Sequence, residues 1–156
     1  MKALGIDPGY DRLGMAVVTN ESGRDTVVYS TCVETDKKQP LPERLVTIGN
    51  ALTAILQEHQ PTIVGVETLF FNKNVKTAMG VAQARGLVLY LSQLQHCQVL
   101  ELNPQEIKIA MTGYGKSDKP AVLDMVKRLV HNVPDKAVDD EYDAIAAAVT
   151  ALAHHR

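Results

Sequence analysis

The sequence lacks the features that mark membrane or exported proteins. No apolar run approaches the roughly 18 residues that span a bilayer, and the opening MKALGIDPGY lacks the long apolar core of a signal peptide. Only two cysteines are present, Cys32 and Cys97, and neither has a CxxC partner or nearby histidine ligands. We therefore expect reduced core thiols, with no disulfide or thiolate metal site, in a cytoplasmic protein with no membrane partner.

Linkers are also missing, because the chain has no Pro-, Gly- or Ser-rich stretch and no run of like charges. A length of 156 residues suits one domain with a real core, so we expect residues 1–156 to form a single domain. The net charge is only −2, yet residues 68–133 hold eight basic and four acidic residues, between two acidic parts. This distribution is compatible with cationic arms around an acidic centre, and ordinary solvated surface is the alternative.

Residue patterning predicts an α/β fold. Short β-branched runs predict strands at Lys2–Asp7, Leu13–Thr19, Asp25–Val33, 62–67 and 97–102. Helical spacing and caps predict helices at Leu41–His59, Val75–Leu94, Pro104–Ala110, Pro120–His131 and Asp139–His155. This order predicts a mixed sheet covered by helices. The second helix is apolar around much of its circumference, which implies a second buried face.

Carboxylates stand where a site could form. Asp7 and Glu67 each end an apolar strand, and parallel pairing of those strands would bring both within reach of one ion. The last helix opens with DDEYDA, in which Asp143 shares a face with Asp140 at i−3 or Asp139 at i−4, and helical pitch does not choose between them. An acidic first turn favoured by the helix dipole is the alternative. The apolar turns that follow indicate, however, that this helix packs into the core.

Converging carboxylates repel one another unless they are protonated or neutralised by cations. Mg²⁺ fits such a set best, because it is bound by few carboxylates and completed by water and phosphate oxygens. Two such ions roughly 4 Å apart would make a site for phosphodiester hydrolysis.

Four motifs resemble, in order, the bacterial RuvC family of Holliday junction resolvases in the ribonuclease H-like superfamily: LGIDPGYDRLGMAVV, VGVETLFFNKN, AQARGLVL and DEYDAIAAAV. DPG alone is weak, because actin-like ATPases and sugar kinases begin in the same way, but the joint occurrence is specific. The resemblance implies a ribonuclease H-like fold with a mixed five-stranded sheet. It also implies that the catalytic and metal-binding carboxylates are Asp7, Glu67, Asp140 and Asp143.

The resemblance further implies a Mg²⁺-dependent homodimer, with two ions expected per subunit and Mn²⁺ as a substitute. Such a dimer forms through the helix Val75–Leu94, nicks two strands of four-way junction DNA symmetrically, and has a branch-migration motor as a family partner.

DNA contacts are expected from the basic central part of the chain. By the resemblance, Lys108 and Lys119 correspond to lysines important for junction cleavage, and Phe70 to an aromatic wedge at the junction centre. For Phe71, packing in the core under the loop is the preferred interpretation, and contact with DNA is the alternative. Further candidates for phosphate contacts, each with solvated surface as its alternative, are Lys73, Lys76, Arg85 and Lys116.

Three other functions are also compatible with the sequence. They are an RNA-acting nuclease of the YqgF type, a non-catalytic junction-binding protein and an actin-like ATPase. The retained carboxylates count against the binding protein. The ATPase is disfavoured because no second glycine-rich phosphate loop follows.

Overall fold

The computed structural model describes residues 1–68 and 75–155, without the side chains of residues 75 and 76. Within these residues the strands are β1 (Lys2–Asp7), β2 (Arg12–Glu21), β3 (Arg24–Glu34), β4 (Ile63–Glu67) and β5 (Gln98–Leu102). The helices are α1 (Leu41–His59), α2 (Val75–Leu94), α3 (Pro104–Thr112), α4 (Lys119–Leu129) and α5 (Asp139–Ala153).

The strands form one mixed sheet in the order β3-β2-β1-β4-β5. β1, β2 and β3 are antiparallel neighbours, whereas β1, β4 and β5 run parallel. The predicted mixed five-stranded sheet is therefore confirmed. The antiparallel half follows from tight hairpin connections, and the parallel half requires helical crossovers.

Helices cover both faces of the sheet. On one face α5 packs directly on the strands, with α3 and α4 beside it, and on the other face α1 and α2 bury their apolar sides. α5 is an alanine-rich helix whose Ala144 and Ala148 are fully buried. Its small side chains allow a close approach to the sheet, so its first turn is fixed relative to the strand ends.

Several predicted boundaries need correction. β2 and β3 extend beyond their predicted ends because their antiparallel ladder continues to a two-residue turn at Ser22 and Gly23, both with positive φ. α4 begins one residue earlier than predicted, where the Asp118 side chain caps the Ala121 N–H. It ends at Leu129 and not at His131, because the backbone of His131 pairs with the edge strand β3.

The two cysteines differ in their surroundings. Cys97 is buried, as predicted, and its thiol donates to the carbonyl oxygen of Pro61. Cys32 is not a core residue, because it lies half-buried on β3 beside Arg12. Burial raises the pKa of both thiols, which keeps them protonated. Among the helices described, none has both the length and the apolar character needed to cross a bilayer.

Candidate active site

Two parallel strands deliver carboxylates to one edge of the sheet. Asp7 is the last residue of β1 and Glu67 is the last residue of β4. These strands are parallel neighbours with Ile6 opposite Val66. Asp7 and Glu67, which follow this pair, therefore lie side by side at the same edge of the sheet.

Strand alternation turns both carboxylates toward α5. A Cβ on Gly5 would lie 1.9 Å from the carbonyl oxygen of Ala144, and one on Gly65 would lie 2.9 Å from the α5 backbone. Both glycines therefore face α5 at very short range. Asp7 and Glu67 follow them by two residues and share their face.

The first turn of α5 completes the cluster. Gly14 of β2 pairs with Asp7, and a Cβ on Gly14 would lie 2.0 Å from the carbonyl oxygen of Asp140. The side chain of Asp140 is 23% exposed, whereas that of Asp139 is 71% exposed. This difference favours Asp140 over Asp139, the choice that helical pitch left open.

Burial and the neighbouring negative charges raise the pKa of the two strand-end carboxylates, Asp7 and Glu67. Burial, followed by the charges of Glu67, Asp143 and Asp140, raises the pKa of Asp7 from its usual 3.8 to about 7. Burial and the charge of Asp143 also raise the pKa of Glu67. Each of the four carboxylates therefore interacts with at least one other across a buried strand edge.

Two lysines partly offset this negative charge. The Nζ atom of Lys119 lies 2.8 Å from Oδ2 of Asp143 and 3.4 Å from Oδ2 of Asp139. Burial lowers the pKa of Lys119, but these two partners outweigh it and raise the pKa overall. The charges of Lys119 and Lys108 both lower the pKa of Glu67. Lys119 and Lys108 thus lie beside the carboxylates, where a phosphate would meet them.

Arg12 is a site residue that the sequence reasoning missed. Its Nη2 atom lies 2.9 Å from Oδ2 of Asp140, and its Nε atom lies 3.8 Å from Oε1 of Glu34 on β3. A signal was available, because Arg12 precedes Gly14 by two residues and so shares the face that α5 covers.

Arg44 was also missed, and it holds the β1–β2 turn that follows Asp7. Its Nε donates to Oγ1 of Thr35 at 2.8 Å, its Nη2 donates to the carbonyl oxygen of Tyr10 at 3.1 Å, and it pairs with Asp11. The hydrogen bond from Arg44 lowers the pKa of Asp11. The ring of Tyr10, in the same turn, packs against Gly80 of α2, where a Cβ would lie 2.7 Å from the ring.

Two clefts open beside the carboxylates. One, of about 310 Å³, is lined by Glu67, Asp143, Lys108 and Lys119 together with apolar residues of α3, α4 and α5. The other, of about 280 Å³, lies between the β1–β2 turn and α2. Its lining includes Asp7, Tyr10, Arg12, Thr77 and Asp140. Both clefts combine negative and positive groups, which suits a phosphodiester bound with cations.

Of the other predicted DNA contacts, the structure describes the side chains of Arg85 and Lys116, and neither lines the two clefts beside the carboxylates. Arg85 pairs with Glu101 on β5 and is 21% exposed, so its guanidinium is already engaged. Lys116 is exposed in the segment between α3 and α4. Phe70, Phe71 and Lys73 lie outside the described residues, as does the side chain of Lys76.

The donor set fits hard divalent ions, although the side chains do not yet adopt a coordinating geometry. Within residues 1–68 and 75–155, no three His, Cys, Asp or Glu side chains already form a metal-binding group. Arg12 and Lys119 engage Asp140 and Asp143 instead. Burial and the charges of Glu67, Asp143 and Asp140 raise the pKa of Asp7, and a divalent cation, whose preferred ligands are carboxylate oxygens, would relieve the repulsion among these charges.

Comparison with known proteins identifies the family of this chain. The profile described as crossover junction endodeoxyribonuclease RuvC matches residues 3–151. The proteins of that name from Brevibacillus brevis and Chloroflexus aggregans are 38% and 40% identical, with 96% of this chain and 90% or 91% of the relative covered.

A solved structure of Thermus thermophilus RuvC in complex with a Holliday junction substrate superposes with a TM-score of 0.93 at 29% identity. The match covers 100% of this chain and 95% of that one. The yeast mitochondrial Holliday junction resolvase Ydc2 shares the fold, with a TM-score of 0.66 at 13% identity. The ribonuclease H-like fold and the resemblance seen in the sequence are thereby confirmed, and the chain belongs to the RuvC family of crossover junction endodeoxyribonucleases.

Proposed function

We propose that this chain is a structure-selective endonuclease that resolves Holliday junctions in DNA recombination and repair by nicking two strands symmetrically. The observation that carries this proposal is the four-carboxylate cluster at the strand ends of a RuvC-family chain. The relative from Thermus thermophilus is bound to such a junction. The site of action would be the cytoplasm, and residues 1–156 would act as one nuclease domain.

Divalent-metal dependence is a general property of this nuclease family. We propose that two Mg²⁺ ions per subunit, replaceable by Mn²⁺, are held by Asp7, Glu67, Asp140 and Asp143. Held by these four carboxylates, the ions would supply an activated water molecule for attack on phosphorus and stabilisation of the leaving oxygen. The buried edge positions of Asp7 and Glu67 support this assignment, because the ions would remove their repulsion.

Lys108 and Lys119 have a separate role in this proposal. They line the same cleft as Glu67 and Asp143, so a phosphodiester placed there would lie against two ammonium groups. Ammonium groups next to a phosphate stabilise the negative charge that develops during displacement. Lys119 would move from Asp143 to the phosphate once that carboxylate binds metal.

The wider DNA surface is proposed from the sequence. Phe70 would wedge between bases at the junction centre, whereas Phe71 would pack under the loop. Phosphate contacts would come from Lys73, Lys76 and Lys116, and from Arg85 if it leaves Glu101.

We propose a homodimer that forms through the outer face of α2. The large apolar side chains of Met79, Tyr90 and Leu94 are 68%, 63% and 55% exposed along this helix, with the small Ala82 and Gly86 between them. A C₂ dimer would present two equal sites to a junction of like symmetry. A branch-migration motor is proposed as a further partner from the family alone.

A synthetic four-way junction with Mg²⁺ tests the activity. We expect paired nicks from the wild type and a loss of roughly 100-fold or more in cleavage rate for Asp7→Asn, the scale of removing one strong electrostatic group. Asp124→Asn is the matched control, because Asp124 pairs with Arg128 on the exposed side of α4. Structured RNA is assayed in parallel.

The outcomes separate the alternatives. Cleavage of structured RNA without junction cleavage would indicate the YqgF-type nuclease. Tight junction binding with no metal-dependent nicking would indicate a binding protein, and full activity of Asp7→Asn would refute the assigned site.

A further inference from the structure

Arg12 forms an ion pair with Asp140, one of the four carboxylates of the cluster. Its guanidinium contacts Oδ2 of Asp140 at 2.9 Å, and the carboxylate is only 23% exposed. The guanidinium also pairs with Glu34, at 3.8 Å, and hydrogen-bonds with the thiol of Cys32. Arg12 is thus shared between a carboxylate of the cluster and one outside it.

The sheet itself builds this contact. Arg12 is the first residue of β2 and pairs across the ladder with Glu34 on β3. Two residues on, Gly14 admits the backbone of Asp140 at a distance that no side chain would allow. The position of Arg12 relative to Asp140 is therefore fixed by strand register and helix packing.

A carboxylate oxygen that accepts a hydrogen bond from a guanidinium cannot bind a metal cation through the same lone pair. Divalent ions take carboxylate oxygens at about 2.0–2.6 Å, closer than the guanidinium lies. The two positive groups also repel each other across Asp140. Binding of an ion to Oδ2 of Asp140 therefore requires Arg12 to withdraw, and Glu34 remains as its partner.

We propose that Arg12 is a resident counter-cation of Asp140 that competes with divalent ions and so sets the metal concentration at which the site fills. This inference rests on the proposed metal site. In the metal-free protein Arg12 reduces repulsion within the cluster, and on metal binding it is displaced toward Glu34. Arg12 is thus a positioning residue that acts through Asp140.

The experiment is a calorimetric titration of the full chain with Mn²⁺ in the absence of DNA, in which Arg12→Gln is compared with wild type. We expect the Kd for Mn²⁺ to fall by roughly two- to fivefold, the range for a half-exposed ion pair. Arg128→Gln is the matched control, because it removes the same charge from a pair with Asp124 on α4. Its Kd should equal that of the wild type.

Thermal unfolding provides a second readout. The rise in Tm on adding Mn²⁺ should be larger for Arg12→Gln than for wild type, because the variant does not lose an ion pair when metal binds. An unchanged or higher Kd for Arg12→Gln, or an equal fall for Arg128→Gln, would overturn the proposal. Failure of the wild type to bind Mn²⁺ would instead refute the metal site itself.

Discussion

The proton on Asp7 links the acidic cluster to pH at the scale of a single residue. Its pKa is about 7 in the folded chain, against 3.8 for an ordinary aspartate. Between these values the folded state holds a proton that the unfolded state has released. The contribution of Asp7 to the free energy of unfolding therefore decreases as pH rises from about 4 to about 7.

Asp7→Asn should consequently stabilise the metal-free protein at neutral and higher pH. Each unit by which the pKa is raised corresponds to roughly 1.4 kcal/mol, so the gain in Tm should be clear at about pH 8 and small at about pH 4.5. Thermal melts in a chelator at both pH values measure it. Added Mg²⁺ should raise the Tm of the wild type more than that of the variant. An Asp7→Asn Tm below that of wild type at pH 8 would contradict the assigned repulsion.

Asp7, Glu67 and the acidic turn of the last helix were proposed from the sequence because their signals are local, and the family resemblance selected Asp140 and Asp143 within that turn. Asp7 and Glu67 each end an apolar run, and the acidic turn opens an apolar helix. Arg12 was not found, because its partner Asp140 lies far along the chain and only the packing of α5 on β2 joins them.

At the scale of elements, the contact between β2 and α5 decides where the acidic turn lies. Gly14 has no side chain, and that space is filled by the carbonyl group of Asp140. β1 carries Asp7 directly opposite Gly14. The absence of a side chain at Gly14 thus allows the first turn of α5 to lie next to the end of β1.

Gly14→Ala should therefore displace the first turn of α5. A Cβ would lie 2.0 Å from the carbonyl oxygen of Asp140, which the backbone can relieve only by moving. We expect a loss of roughly 1 to 3 kcal/mol in the free energy of unfolding, together with lost junction cleavage. Denaturant unfolding and the cleavage assay measure the two effects. Gly115→Ala, whose Cβ would meet only ordinary contacts at 3.4 Å, is the control and should retain both properties.

The end of α1 was predicted well because its stop signal is local, and the end of α4 was predicted poorly because a distant strand sets it. α1 was predicted at its observed bounds, since it stops just before Pro61. The end of α4 was misplaced because His131 leaves the helix to pair with Asp25 and Val27 on β3. That pairing has no signature in the residues around His131.

At the scale of the whole molecule, α2 has two apolar faces, one buried within the subunit and one exposed. Ala84 and Val88 are buried against the sheet and α1. Met79, Tyr90 and Leu94 remain exposed on the opposite side. The predicted second buried face would then require another subunit.

Tyr90→Asp should disrupt the proposed dimer, because a charge would enter the centre of an apolar interface. We expect the dimer dissociation constant to rise by roughly 100-fold or more, with paired nicks replaced by single nicks. Sedimentation measures the association, and cleavage of a four-way junction measures the pairing of cuts. Val46→Asp introduces the same charge on the exposed face of α1, where Val46 is 60% exposed, and should leave the association unchanged. Equal dimerisation of Tyr90→Asp and wild type would place the interface elsewhere.

The sequence by itself determined the order of the elements, the mixed character of the sheet and the identity of the acidic residues. Each of these depends on periodicity, on strand-end chemistry or on motifs a few residues long. Tertiary structure alone decided that Arg12 engages Asp140, that Lys119 engages Asp143, and that Arg44 holds the turn after Asp7. These contacts join residues distant in the chain, and sequence spacing does not specify which side chains meet once the helices pack on the sheet.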